Sequence, residues 1–266
     1  MVLPPDYHLH TAFCRHATGW PADYAACALE HGLTEIGFSD HAPLADDTFD
    51  DWRMRQDQLA EYVAQVRFAQ GRHPSLTIKL GLELDYFPGQ IEWIKDLAGR
   101  YPWDYLIGSV HYARPGWAID NPAQRGEWDR YGVFETWALY FERLSEAVNT
   151  GLFDIIGHPD LPKKFGYYPD QDCTPLYRRF LESARKHPLA LELNTAGLRK
   201  ECREIYPGIT FLRLACAVGV PITFGSDAHA PAEVGLNLAA AVALARQAGY
   251  THSCRFSQRQ ASPSVF

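Results

Sequence analysis

Short apolar runs, each followed by a longer stretch with helical spacing, alternate about seven times along the chain, and this alternation constrains the fold more than any other feature. The runs read as strands at 5–9, 35–39, 77–84, 105–110, 154–157, 190–194 and 221–225, with a weaker eighth at 253–256. Helical spacing occupies 21–31, 54–70, 90–98, 133–150, 175–186, 209–218 and 232–247. Gly32, Gly151 and Gly249 fall where helices should stop. A length of 266 residues admits one α/β barrel or two ordinary domains. With no linker and no shift of composition, one barrel domain over 1–266 is expected. The last ten residues, SQRQASPSVF, are expected to fray.

Composition excludes several classes. A hydrophobic fraction of 47% and a charged fraction of 21% describe a globular chain, not a disordered one. Lys+Arg 25 against Asp+Glu 32 gives a formal charge of −7, without the basic excess that drives nucleic-acid binding. No run approaches the ~18 apolar residues of a membrane span, and MVLPPDYHLH does not read as a signal peptide, so the expected location is the cytoplasm. Six cysteines without a CxxC pair read as reduced thiols, with no support for cysteine catalysis.

The eleven histidines divide by position. His31, His73, His187 and His252 fall at helix ends or near the C-terminus, where caps and surface residues are expected. His8, His10, His16, His41, His111, His158 and His229 instead lie at or just beyond the ends of strand candidates. In a parallel barrel these ends converge on one mouth, where the active sites of such barrels are found. The acids Asp40, Glu83, Asp160 and Asp227 share these positions. So many nitrogen and oxygen donors together are costly unless they hold divalent ions. In His8-Leu9-His10, residues i and i+2 of a strand project to one side, and Asp227-Ala228-His229 repeats the spacing.

The segments DYHLHTAFCRHA, GFSDHAP, GLELDYF, GSVHY, IIGHPDLPKKFG, LELNTAGLRK and FGSDAH, in this order, resemble the polymerase and histidinol phosphatase (PHP) family of metal-dependent phosphoesterases. NTAGLRKECREIYPG is similar to the histidinol-phosphate phosphatase branch. The resemblance implies a distorted (β/α)7 TIM-like barrel with three divalent ions at its C-terminal mouth, the metals being Zn, Fe or Mn. It places one ion among His8, His10, Glu83 and Asp227, a second among Glu83, His111 and His158, and a third among His16, His41 and His229. Cys14 has no place in that set and is read as packing.

Hydrolysis of a phosphomonoester requires an activated water and neutralised phosphoryl oxygens. Asp160 is the candidate for handling a proton or fixing a water, the alternative being that it only orients a metal ligand from behind. Arg199 is the candidate phosphate contact, since a guanidinium binds two phosphate oxygens at once. Lys163 and Lys164 are candidates for a second cation, His41 for a further phosphate contact, and Asp40 for fixing the His41 ring. The insertion RPGWAIDNPAQRGEW is read as a wall of the mouth or as a plain anchored loop, with Asp120 the acid suited to a substrate amine. The expected partner is a small phosphate ester, L-histidinol phosphate, dephosphorylated in histidine biosynthesis. The alternatives are a nucleotide- or DNA-directed phosphoesterase of the same family, a non-catalytic metal-stabilised interaction domain, and an amidohydrolase-type barrel.

Overall fold

The strands that build the sheet are buried along almost their whole length, as parallel strands covered on both faces must be. The computed structural model describes residues 3–266. Ten strands are assigned there: β1 (Glu35–Phe38), β2 (Thr77–Asp85), β3 (Tyr105–Ser109), β4 (Tyr112–Arg114), β5 (Trp117–Ala118), β6 (Ile155–Ile156), β7 (Ala190–Asn194), β8 (Ile222–Gly225), β9 (His252–Ser257) and β10 (Gln260–Val265). The helices are α1 (Pro21–Glu30), α2 (Leu59–Arg72), α3 (Ile91–Arg100), α4 (Gly126–Tyr131), α5 (Val133–Asn149), α6 (Thr174–Ala184), α7 (Ile209–Val218) and α8 (Leu238–Ala248).

Six strands form one parallel sheet in the order β1-β2-β3-β6-β7-β8. The segment around Asp6–His10 lies between its two edges. The Gly37 amide donates to the Asp6 carbonyl at 2.8 Å on the β1 side, and the Tyr7 amide donates to the Phe224 carbonyl at 3.1 Å on the β8 side. Isolated bridges Asp6–Ile36 and Leu9–Ala228 complete the contact. The seven-stranded TIM-like barrel read from the sequence is therefore present, with its first strand held by bridges instead of a regular ladder.

The helices present apolar faces to this sheet. In α5, Trp137, Tyr140, Phe141, Leu144 and Val148 are buried at helical spacing, and Phe141 packs against Phe180 of α6 and Phe211 of α7. Gly249 ends α8 in the left-handed region at φ 108°, and Gly32 and Gly151 also adopt positive φ just beyond α1 and α5. Two helices start later than their spacing predicts. A separate 3-10 turn occupies Gln56–Gln58 before α2, and another occupies Pro231–Glu233, after which Gly235 (φ 71°) and Asn237 (φ 64°) reset the backbone for α8.

The expectation of an eighth barrel strand and a frayed C-terminus is corrected. Strand β9 pairs antiparallel with β10, and this hairpin stands outside the parallel sheet. Phe256 is buried with Tyr7, Tyr105, Ile107, Ile155 and Ala190, several of which begin their strands, so the hairpin seals the N-terminal end of the barrel. Arg255 bonds Glu35 at 3.0 Å, and Arg259 pairs with Asp154. No helix among the described residues is long and apolar enough to cross a membrane.

Candidate metal centre

The strand-end donors meet at the other end of the barrel. Leu9 is buried in the apolar core while His8 and His10, flanking it, turn to the same side, as alternation along an extended chain dictates. Glu83, buried on β2, is the centre of the group. Its Oε2 lies 3.4 Å from His8 Nε2, 3.7 Å from His10 Nε2 and 2.7 Å from His41 Nδ1. Its Oε1 lies 3.1 Å from His158 Nε2 and 3.8 Å from His111 Nε2. Asp227 Oδ1 stands 3.2 Å from His10 Nε2 and 4.0 Å from His8 Nε2. His16 and His229 meet with their Nε2 atoms 2.8 Å apart. His158 and Asp227 hold positive φ values of 28° and 53°, strained positions of the kind that collect at functional sites.

These residues fit divalent ions. Two donors bound to one tetrahedral zinc are about 3.4 Å apart, given bonds of about 2.0–2.2 Å, and the separations among His8, His10, Glu83 and Asp227 bracket that value. Buried His8 Nε2, both His10 ring nitrogens, His41 Nδ1, His158 Nδ1 and Glu83 Oε2 lack hydrogen-bond partners. Unpaired polar atoms at such density are uncommon in a folded interior unless an ion satisfies them. One donor atom from each residue falls within 4.8 Å of the others in the sets His8-His10-Asp227, His41-Glu83-His111, His10-His41-His229 and Cys14-His16-His229. His41 thus lies closer to the Glu83 and His10 groups than to His16, so of the expected third set only His16 and His229 are in direct contact. Cys14 reaches that set, but burial and the Asp40 charge push its thiol up, which disfavours the thiolate and matches a packing role.

Burial alone would raise the Glu83 carboxyl, yet His41, His8 and His111 hold it well below the ordinary range. Asp227 is lowered in the same way by His8 and His10. Burial pushes His41 and His229 well down and lowers His16, favouring the neutral imidazole that ligates metals. His8, by contrast, is raised well above its ordinary value against the effect of burial, because Glu192, Glu83 and Asp227 surround it with negative charge. His10 and His111 are each brought to about 9, again against burial, by Asp227 with Asp40 and by Asp85 respectively. This is a place built for positive charge.

Carboxylates behind the imidazoles fix their directions. His8 Nδ1 bonds Glu192 Oε1 at 2.6 Å, and His111 Nδ1 bonds Asp85 Oδ1 at 2.7 Å. Asp40 accepts the amides of His41 and Thr11, each at 3.0 Å, and stands 3.5 Å from His10 Nδ1, so it holds the backbone of His41 and not, as expected, its ring, while its charge faces the ring of His10. Glu192 and Asp85 were not among the candidates read from the sequence. The i, i+2 pairs Glu83-Leu84-Asp85 and Glu192-Leu193-Asn194 are the signal that could have found them. Trp52, edge-on to His41 at 4.7 Å and held by Tyr112 through a 3.1 Å bond, was also missed; it sits in a loop without periodicity.

A cavity of about 450 Å³ opens over these donors and is lined also by Trp52, Asp120, Lys164, Arg199, Lys200 and Glu233. Arg199 Nη2 donates to the carbonyls of Ser226 and Asp227 at 3.0 Å, and its buried Nη1 has no partner. Lys164 reaches the cavity but is paired with Asp120 at 2.9 Å, which holds Asp120 at about 2 despite its burial. The amine-binding role expected of Asp120 therefore competes with Lys164. Lys163 does not line the cavity, and the expectation that it offers a free cation is corrected. Its buried Nζ is taken by Asp160 at 2.8 Å, Glu204 at 3.1 Å and the Ile205 carbonyl at 2.8 Å. Asp160, which also accepts the Gly208 amide at 2.8 Å, lies behind the cavity lining. Lys200, another missed residue, is an exposed cation on the rim with no ion pair among the described residues. The insertion after β3 is both wall and anchored loop. Ala118, Asp120 and Asn121 line the cavity while Trp117 and Trp128 are buried, the latter stacked on Tyr167 at 4.5 Å. His31, His73, His187 and His252 lie away from the cavity.

The sequence profile of the PHP domain matches residues 6–196. The chain belongs to the PHP domain family. A probable histidinol-phosphatase of Deinococcus radiodurans is 41% identical to this PHP protein over 260 residues, covering 97% of this chain and 98% of the relative. A Listeria monocytogenes structure assigned as a histidinol phosphatase superposes with a TM-score of 0.82 at 26% identity, covering 89% of this chain and 99% of that one. The Lactococcus lactis histidinol phosphate phosphatase, solved with zinc, L-histidinol and phosphate, has a TM-score of 0.80 at 22% identity and covers 98% of this chain and 100% of that one. These likenesses span nearly the whole chain.

Proposed function

We propose that this chain is a metal-dependent phosphomonoesterase that hydrolyses L-histidinol phosphate to L-histidinol and phosphate. The observation that carries the chemistry is one cavity with a floor of unpaired nitrogen and oxygen donors and a rim holding the unpartnered Nη1 of Arg199. The substrate follows from the near full-length likeness to the Deinococcus radiodurans protein. His8, His10, Glu83 and Asp227 would hold one ion, Glu83, His111 and His158 a second, and His16, His41 and His229 a third. Ions bound there would lower the pKa of a water and neutralise phosphoryl charge, with zinc, iron and manganese all suited to these donors.

The remaining work belongs to the chain. Arg199 is held through Nη2 by two carbonyls and through Nε by Glu233 at 3.4 Å, so its guanidinium would meet a phosphate oxygen in a fixed direction. Lys200 adds positive charge on the same rim, which would draw a phosphate dianion inward, while the charge of Lys164 is met by Asp120. His41, between Glu83 and Trp52, would help to hold an ion and would stand beside the phosphate. Trp52 and the insertion wall narrow the mouth and limit access of water. Of the two roles read for Asp160, its contacts favour support: it braces the turn after His158 by holding Lys163 and the Gly208 amide. Six free cysteines fit a reducing compartment, and we place the reaction in the cytoplasm. Chelator-sensitive phosphate release from L-histidinol phosphate, compared with nucleotides and single-stranded DNA, tests the assignment.

A further inference from the structure

We propose that Glu192 is the positioning residue that couples two of the ion sites, setting the ring of His8 and the backbone of His158 with one carboxylate; this rests on the metal reading above. Glu192 projects from β7 into the barrel interior and is 1% exposed. Its Oε1 accepts a hydrogen bond from His8 Nδ1–H at 2.6 Å. The other ring nitrogen, Nε2, is thereby left with a lone pair directed at Glu83 and Asp227. Its Oε2 accepts the His158 amide at 2.8 Å and Asn194 Nδ2 at 3.1 Å. The amide bond holds His158 in its positive-φ conformation and so aims its ring at Glu83 Oε1.

The neighbouring strand leaves room for this carboxylate. A Cβ at Gly225, the last residue of β8, would overlap Glu192 Oε1 and would also lie 2.6 Å from His8 Cβ. His8 is the one ionic partner of Glu192 among the described residues. A carboxylate buried without Lys or Arg needs positive charge nearby, and an ion held on the far side of His8 would supply it. His16, His41 and His229 make no contact with Glu192, so the third ion should be indifferent to it.

The test titrates the holoenzyme with a chromophoric zinc chelator, for the wild type and for Glu192→Gln and Glu192→Asp. Glutamine cannot accept from both His8 and the His158 amide without turning its own NH2 toward one of them. In Glu192→Gln two ions should dissociate at about 10–100-fold weaker affinity, the usual cost of losing a carboxylate behind a metal-bound histidine, while the third is retained. Glu192→Asp, which keeps the charge, should recover part of the loss. Nitrogen-15 histidine spectra of the wild-type holoenzyme, which need no variant to fold, should show the His8 proton on Nδ1. A proton on Nε2, or three ions bound by Glu192→Gln as tightly as by the wild type, overturns this proposal alone. Wild-type protein that takes up no ion overturns it together with the metal reading.

Discussion

Glu83 Oε2 lies 3.4 Å from His8 Nε2, while its other oxygen turns to His158. One buried carboxylate thus faces two groups of imidazoles that come from strands far apart in the chain. Replacing it by glutamine removes the charge that both groups share. Glu83→Gln should lose at least two ions by elemental analysis, and turnover should fall more than about 100-fold, beyond the typical loss for an outer partner. Full ion content in this variant would contradict the bridging role.

Arg199 and Lys200 are neighbours in sequence but unequal in setting. The first is tied down with one nitrogen free; the second is exposed on the rim. Arg199→Met should lower kcat/KM about 10²–10³-fold, as losing a fixed donor to developing charge does, with ion content intact. Lys200→Met should raise the inhibition constant of inorganic phosphate only about two- to fivefold, since exposed charge is screened. Equal effects in steady-state kinetics would mean that the anchoring of Arg199 has no consequence.

Asp160 separates support from proton transfer. If it braces Lys163 and the Gly208 amide, Asp160→Asn should reduce the unfolding free energy of the metal-free protein by about 1–3 kcal/mol. A general acid would instead leave stability alone and cost about 10²–10⁴-fold in kcat, with one limb of the pH profile lost. We expect the stability effect, read by denaturant unfolding beside kcat.

The histidines were legible because the strand and helix periods are local, and a parallel barrel brings every strand end to one mouth. Their supporting carboxylates were less so. Glu192 and His8 are distant in sequence, and the spacing of Glu192 and Asn194 in ALELN puts them on one face without saying which histidine that face meets. Lys163 and Lys164 look alike in LPKKF, but on a tight 3-10 turn adjacent side chains diverge by about 120°. One goes into the protein and the other to the cavity. The C-terminal hairpin was misread for a related reason: its outer strand is exposed and polar, and only β9 supplies the buried Phe256.

That hairpin should matter to stability and not to chemistry. Phe256→Ala leaves a cavity among Tyr7, Tyr105 and Ile155, at the end of the barrel remote from the donors. Such a truncation costs about 3–5 kcal/mol. Denaturant unfolding should register it while KM for the phosphate ester stays unchanged; an altered KM would mean that the two ends of the barrel communicate.

The central claim is tested most directly by phosphate release from L-histidinol phosphate by metal-reconstituted protein, beside p-nitrophenyl phosphate, mononucleotides and single-stranded DNA, with and without chelator. The account predicts chelator-sensitive turnover of L-histidinol phosphate, with kcat/KM well above that of every competitor. Preferred turnover of nucleotides or DNA, or turnover that survives removal of all metal, would contradict it.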